Sequence, residues 1–345
     1  MASITSVSYD RTKELKQFDD TKAGVKGLVD TGILNIPKFF IRPAEDLAAD
    51  ELNSGHKNVE VPIIDLSNIG DSIRRQEIVN EIRNASEEWG FFQVINHGIP
   101  LSVLDEMIEA TRLFNEQDLE LKMELYSRDG AKKVIFNSNS DLYTSQSADW
   151  RDSLRLTSFE SNPDSSDLPP VYREPTMEYN KHINILAETL FELLSEALGL
   201  QPDHLSSMGC NKGCLRKHAD AGIMALLLQN HVTGLQVLHD DQWFDVHPAR
   251  GGLVVNIGDL LQILSNDKFK SVKHRVTANR VGPRISVVCF FSGHADMFEE
   301  PFGTIKELIS ETNPPRYKEF VLKEYIDKVL SSPIDSKPAI DYYKL

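Results

Sequence analysis

His218 and Asp220 are separated by one residue in the run KHADAG. Side chains alternate along an extended segment, so both project from one face if this stretch is a strand. His274 lies in SVKHRV, 54 positions after Asp220, which leaves room for a sheet to fold back onto the same point. Two imidazoles and one carboxylate on one face of a metal leave three positions open, the donor set with which non-haem iron(II) sites handle oxygen. Ten residues after His274, Arg284 and Ser286 alternate onto one face of the next apolar run, RISVVCFF. A guanidinium fork beside a hydroxyl suits a carboxylate held by charge-assisted, bidentate hydrogen bonds. An unpaired guanidinium within an apolar strand is costly, so a buried anionic partner is expected. Any one of these residues alone is more often structural; the grouping carries the inference. Cys210-x3-Cys214-x3-His218, with His204 nearby, also has the residue types of a structural zinc site, although two free thiols are the plainer reading of the cysteines.

These side chains need a rigid frame, and the pattern along the chain supplies one. Between 222 and 291 short apolar segments (IMALLLQ, GLQVLH, WFDVHP, GLVVNIG, SVKHRVTA, RISVVCFF) are divided by Gly, Pro and Asp-Asp signals at intervals of about ten residues, the texture of an all-β sandwich or barrel. HINILAETLFELLSEALGL, 182–200, puts Ile183, Leu186, Leu190, Leu193, Leu194 and Ala197 on one stripe and predicts a helix with one buried face, ended by Gly199. Upstream, VPIIDL at 61–66 reads as a strand, IRRQEIVNEIRNASEEWG as a helix ended by Gly90, FFQVINHGIP as a strand and turn, and Leu101 to about Tyr126 as a second helix. Residues 127–182 read as loop with short strands, residues 1–60 as an arm lying on a larger body, and 300–345 as a charged helical tail able to cover one sheet.

Composition narrows the function classes. The 345 residues are 41% hydrophobic and 26% charged, ordinary usage for a globular protein with a sizeable core. The net charge of −15 repels phosphate backbones and anionic lipid, so nucleic acid and membrane are not expected partners. No apolar run approaches the roughly 18 residues of a spanning helix, the opening twenty residues lack the apolar core of a secretory signal, and three cysteines are too few for a disulfide scaffold. A cytoplasmic location is expected.

With those residues in view the chain resembles a known family. His218-Ala219-Asp220, His274 and Arg284-Ile285-Ser286 are similar to the HxD…H…RxS signature of plant Fe(II)- and 2-oxoglutarate-dependent dioxygenases, and GFFQVINHGIP and GGLVVNIGDLLQILSNDKFKSVKHRV resemble that family's N-terminal hallmark and core. The similarity covers roughly residues 15–330, and the opening ELKQFDDTKAGVKGLVDTGI is closest to the branch of 1-aminocyclopropane-1-carboxylate oxidase homologues and vindoline-type alkaloid hydroxylases. The resemblance implies a mostly β core with helices, a double-stranded β-helix or jelly roll. It divides the chain into an arm (1–60), an N-terminal dioxygenase region (61–204), the jelly-roll core (205–295) and a helical tail (296–345). It further implies iron ligation by His218, Asp220 and His274, with Arg284 and Ser286 gripping the distal carboxylate of 2-oxoglutarate. The implied cosubstrates are 2-oxoglutarate and O2, with ascorbate as reductant, and the implied product is a hydroxylated hydrophobic plant metabolite (alkaloid, steroid or terpenoid) with release of succinate and CO2. Phe290 and Phe136 are the candidates for the substrate pocket, and a monomer is the family expectation.

One departure stands out. Relatives carry a further strand and a cosubstrate-binding Tyr just before the HxD motif, whereas here MGCNKGCLR runs directly into KHADAG, with roughly 15 to 20 residues absent. The alternative function is therefore a catalytically impaired relative acting as a binding protein.

Overall fold

A computed structural model describes residues 9–45, 60–156, 165–211, 222–278, 281–294, 297, 300–331 and 338–345. In chain order its helices are α1 (Arg11–Asp20), α2 (Gly24–Asp30), α3 (Ser72–Glu88), α4 (Leu101–Glu116), α5 (Leu119–Leu125), α6 (Pro170–Leu198), α7 (His204–Ser207), α8 (Asp259–Leu264) and α9 (Leu322–Ser331). The strands are β1 (Ile63–Asp65), β2 (Phe91–Ile95), β3 (Val134–Asn137), β4 (Ser153–Leu156), β5 (Met224–Gln229), β6 (Leu235–His239), β7 (Gln242–Asp245), β8 (Leu253–Ile257), β9 (His274–Val276), β10 (Ser286–Phe291), β11 (Pro301–Phe302) and β12 (Phe320–Val321). The chain separates into two units, one within residues 1–51 and 115–156, the other within 52–114 and 157–345.

The first unit has its own core. Leu15 and Phe18 of α1, Val25 of α2, Phe39, Phe40, Leu142 and Ala148 are buried together, with Trp150 edge-on to Phe40. The arm and the 136–150 loop, read separately in the sequence, thus share one apolar cluster. Polar groups lock it. Asp152 accepts the backbone N–H groups of Val25 and Lys26 at 2.8 Å each, at the open end of α2. Asp19 accepts from the Arg128 guanidinium and from the hydroxyls of Tyr126 and Tyr143.

The second unit holds two facing sheets. The larger has the order β1-β2-β8-β5-β10, antiparallel except for β1-β2, and the smaller the order β7-β6-β9. Register decides which side chains meet. Phe290, Ala225, Asn256 and Phe91 form one row across four strands, and Val288, Leu227, Val254 and Gln93 form the next row on the same face. Phe91 and Val254 are buried with Leu235, Val237, Phe244 and Val246 of the smaller sheet, so this face looks into the space between the sheets. The opposite face is carried by alternate residues such as Leu226, Leu228, Val255 and Phe291, and Phe291 meets Phe191 of α6 edge-on at 5.9 Å.

Each of the six apolar segments between 222 and 291 contains or overlaps one of the strands β5 to β10, as their spacing predicts. Three helical expectations change. The helix foreseen from Leu101 to Tyr126 is two helices, because Asp118 takes ψ 142° and interrupts the spiral. The helix foreseen at 182–200 starts twelve residues earlier, at Pro170. Pro170 occupies the first turn, where its missing N–H costs nothing, and Pro175 is carried inside because the long apolar stripe behind it is buried. The tail contributes the short strand β12 as well as α9.

Two turns of fixed geometry frame the sheets. Asp71 caps α3 by accepting from the backbone N–H groups of Ile73 and Arg74, and the chain leaves that helix through Gly90. Gly90 has φ +61°, and a Cβ there would stand 2.0 Å from the Lys270 carbonyl, so only glycine fits. The C-terminal segment is tied to α8 and the turn after it: Tyr325 donates to Asp259 at 2.6 Å, and Tyr317 to Asp267. No described helix is long and apolar enough to cross a membrane.

Candidate functional site

His274 opens β9 directly opposite Val237 of β6, a fully buried residue of the intersheet core. Its half-buried imidazole lies 5.6 Å from the ring of Phe91 on the larger sheet, and its Nδ1 sits 3.4 Å from the Val272 carbonyl. His218 and Asp220 lie outside the described residues, as does Cys214. Among the described residues no three His, Cys, Asp or Glu side chains gather closely enough to hold a metal ion. Cys210 is buried and its thiol is pushed up to about 12 by burial.

Arg284 sits two residues ahead of β10, not within the strand, yet its side chain meets Ser286 as the alternation predicts. Nη1 lies 3.3 Å from Ser286 Oγ, and Nη2 donates to Gln229 Oε1 at 2.9 Å. Gln229 ends β5 and stands directly opposite Ser286. Burial pulls the Arg284 guanidinium down from its ordinary value, and no described carboxylate lies within 4.0 Å to oppose that. Its Nε has no hydrogen-bond partner, nor does Nε2 of Gln229. Gly234, at φ +143°, leaves room for the arginine stem: a Cβ there would stand 2.9 Å from the Thr277 carbonyl and 3.4 Å from Arg284 Cδ.

The rest of this surface is apolar except for Asn256 and Gln93, and Gln93 is bonded to the His247 carbonyl and the Ala249 N–H. Phe290 is half-buried and shares its row with Ala225, Asn256 and Phe91. Asn256 is 6% exposed and its Oδ1 accepts no hydrogen bond. Phe136 belongs to the first unit, 1% exposed, opposite Leu154 on β4 and edge-on to Tyr126. Gln229 and Asn256 escaped the sequence reading because a polar residue in a half-buried strand is ordinary, and their partners are set by neighbouring strands.

The arrangement offers a buried cation with donors to spare at the end of a largely apolar face that the His274 imidazole meets at Phe91, which suits an acid anchored by its carboxylate near a metal. Two family descriptions match the chain: the 2OG-Fe(II) oxygenase superfamily over residues 193–293, and the non-haem dioxygenase in morphine synthesis N-terminal region over 61–181. A 1-aminocyclopropane-1-carboxylate oxidase homologue from Arabidopsis thaliana is 46% identical, covering 98% of each chain. The chain belongs to the 2OG-Fe(II) oxygenase superfamily. This oxygenase is also 42% identical to deacetoxyvindoline 4-hydroxylase from Catharanthus roseus, covering 99% of this chain and 92% of that one. The crystal structure of JOX2 in complex with 2OG, Fe and JA superposes with a TM-score of 0.74 at 29% identity, covering 93% of this chain and 97% of that one. A rice dioxygenase for auxin oxidation shares the fold, with a TM-score of 0.66 at 23% identity over 83% and 100%.

Membership makes the protein an oxidoreductase, a dioxygenase that uses Fe(II) and 2-oxoglutarate, and the intersheet face with its unpaired donors fits the cosubstrate. The alignment with the Arabidopsis homologue runs over 357 positions, while 98% of 345 residues is about 338, so about 19 positions of that relative have no residue here. The larger sheet ends at β10 among the described residues.

Proposed function

We propose that this oxygenase hydroxylates a hydrophobic plant specialised metabolite of the alkaloid, steroid or terpenoid kind, with His218, Asp220 and His274 as iron ligands and Arg284 and Ser286 as the grip on 2-oxoglutarate. The observation that carries the reading is Arg284: a guanidinium inside an apolar surface, with no described carboxylate beside it and one N–H unused. Such a cation is held at a cost unless an anion joins it, and the distal carboxylate of the cosubstrate is an anion of the right shape. His274 contributes through its pose. With Nδ1 turned to the Val272 carbonyl, Nε2 is the nitrogen presented for ligation, the usual division of labour in metal-bound histidines.

When bound, the iron and the keto acid supply the oxidising chemistry, converting 2-oxoglutarate and O2 to succinate and CO2 as the substrate gains a hydroxyl. The chain's residues orient and enclose. Phe290, Ala225, Leu227 and Val254 offer an apolar wall, and Asn256 Oδ1 offers one acceptor for a substrate N–H or O–H. The substrate class is supported by deacetoxyvindoline 4-hydroxylase among the relatives and by this wall.

The test is succinate formation by the iron-loaded protein, with 2-oxoglutarate and O2, across a panel of alkaloids, steroids and terpenoids. Substrate-dependent succinate together with a product heavier by one oxygen supports the reading. A folded, iron-loaded protein that forms neither across the panel contradicts it.

A further inference from the structure

We propose that Gln229 is a ligand of the cosubstrate's distal carboxylate, and that its amide sets the pose of Arg284. This inference rests on the reading of Arg284 and Ser286 given above and extends it by one residue. A guanidinium has donors only, so the amide group facing Arg284 Nη2 at 2.9 Å must be the oxygen, and the NH2 of Gln229 is turned elsewhere. That NH2 is buried without an acceptor, as is Arg284 Nε, and the register places Ser286 Oγ on the same face directly opposite Gln229. Two buried donors lacking acceptors, beside a hydroxyl and a cation without a described carboxylate, describe a place for a group rich in acceptors and negatively charged. A carboxylate, with two oxygens and about four lone-pair directions, can take all of them.

The choice of an amide at this position follows from the same chemistry. A glutamate at 229 would pair with Arg284 and cancel the charge that draws the cosubstrate. A leucine would leave Nη2 without its acceptor and the guanidinium free to turn. Glutamine holds the arginine without neutralising it and adds a donor of its own. Gln229 therefore favours keto acids that carry a second carboxylate over short ones such as pyruvate.

The test is calorimetric titration under nitrogen of the full, Fe(II)-loaded chain with 2-oxoglutarate and, separately, with pyruvate, for the wild type, Gln229→Leu, Gln229→Glu and Arg284→Ala. Gln229→Leu is expected to weaken 2-oxoglutarate binding by about tenfold or more while leaving pyruvate within about twofold, because only the former has a distal carboxylate. Gln229→Glu keeps the size and the acceptor for Arg284, so it should melt at or above the wild-type temperature and still lose more 2-oxoglutarate affinity than Gln229→Leu. A merely structural role for Gln229 would not separate melting from affinity in this way, and the glutamate variant decides the matter if the leucine variant folds poorly. Wild-type affinity in both Gln229 variants, with binding lost in Arg284→Ala, overturns the role of Gln229 and leaves that of Arg284 standing. Unchanged binding in Arg284→Ala, or none in the wild type, overturns both.

Discussion

The imidazole of His274 lies 5.6 Å from the ring of Phe91, one on the smaller sheet and the other on the larger, so a single aromatic contact spans the layer between them. Phe91 is 2% exposed and is buried in one core cluster with Val254 of the larger sheet and Val237 of the smaller, which leaves it little freedom to turn. The position of the proposed iron ligand is thus set from across the sandwich as well as by its own strand. Phe91→Leu should cost about 1 to 3 kcal/mol in urea unfolding and weaken Fe(II) binding severalfold. An iron affinity equal to the wild type's in the folded variant would show that β9 alone positions His274.

Arg284 separates stability from function. Replacing a buried cation that lacks a counter-ion by a hydrocarbon of similar reach is often neutral or stabilising. Arg284→Leu should therefore melt at or above the temperature of the wild type when both are free of cosubstrate. Saturating 2-oxoglutarate with Fe(II) under nitrogen should raise the wild type's stability by about 3 kcal/mol at a hundredfold excess over Kd, and the variant's far less. Equal gains in the two proteins would remove Arg284 from the cosubstrate site.

How much of this was readable beforehand depends on the range of the interaction. The strands β5 to β10 were legible because each carries its own apolar run and turn signals, and the meeting of Ser286 with Arg284 was legible because residues two apart along the chain entering a strand can share a face. Gln229 was not, since its importance comes from β10 lying in register beside β5, a relation between segments 57 residues apart at Gln229 and Ser286. Phe136 shows the same dependence on range: it packs edge-on to Tyr126 and stands opposite Leu154, contacts from flanking segments of its own unit that the polar stretch around it does not announce. The early start of α6 was hidden by Pro170 and Pro175, which read as loop until the burial of the helix behind them is known.

His97 gives the fold a dependence on pH. Burial holds its imidazole below the ordinary value of 6.5, against the opposing pull of the Gly251 carbonyl at 2.9 Å from Nε2. With Nε2 donating to that carbonyl, Nδ1 accepts from the Ile99 N–H, and a second proton would break that bond. The unfolded chain takes up the proton near 6.5 and the folded chain only at lower pH, so this contribution is complete above 6.5 and declines as pH falls through the window beneath it. Urea unfolding between about pH 7 and 5.5 should show a steeper loss for the wild type than for His97→Gln. Parallel slopes would contradict the assignment.

Tyr325 ties the C-terminal helix α9 to α8 through one hydrogen bond to the Asp259 carboxylate, and its ring is fully buried. Tyr325→Phe keeps the ring and leaves the carboxylate short of a donor, at a cost of about 1 to 3 kcal/mol. The melting temperature should fall by several degrees. The change in Asp259→Asn should be smaller, because the amide oxygen can still accept. A melting temperature unchanged in Tyr325→Phe would mean that packing alone holds the tail.

The central claim is that the intersheet face binds 2-oxoglutarate beside iron held by His218, Asp220 and His274. It is tested most directly by titrating the purified, Fe(II)-loaded protein with 2-oxoglutarate under nitrogen and following the weak visible charge-transfer band that forms when the keto acid chelates the metal. The account predicts a band that saturates in the wild type, is lost in His218→Ala and needs higher concentrations in Arg284→Ala. A cooperatively folded, iron-loaded protein that develops no band would contradict it.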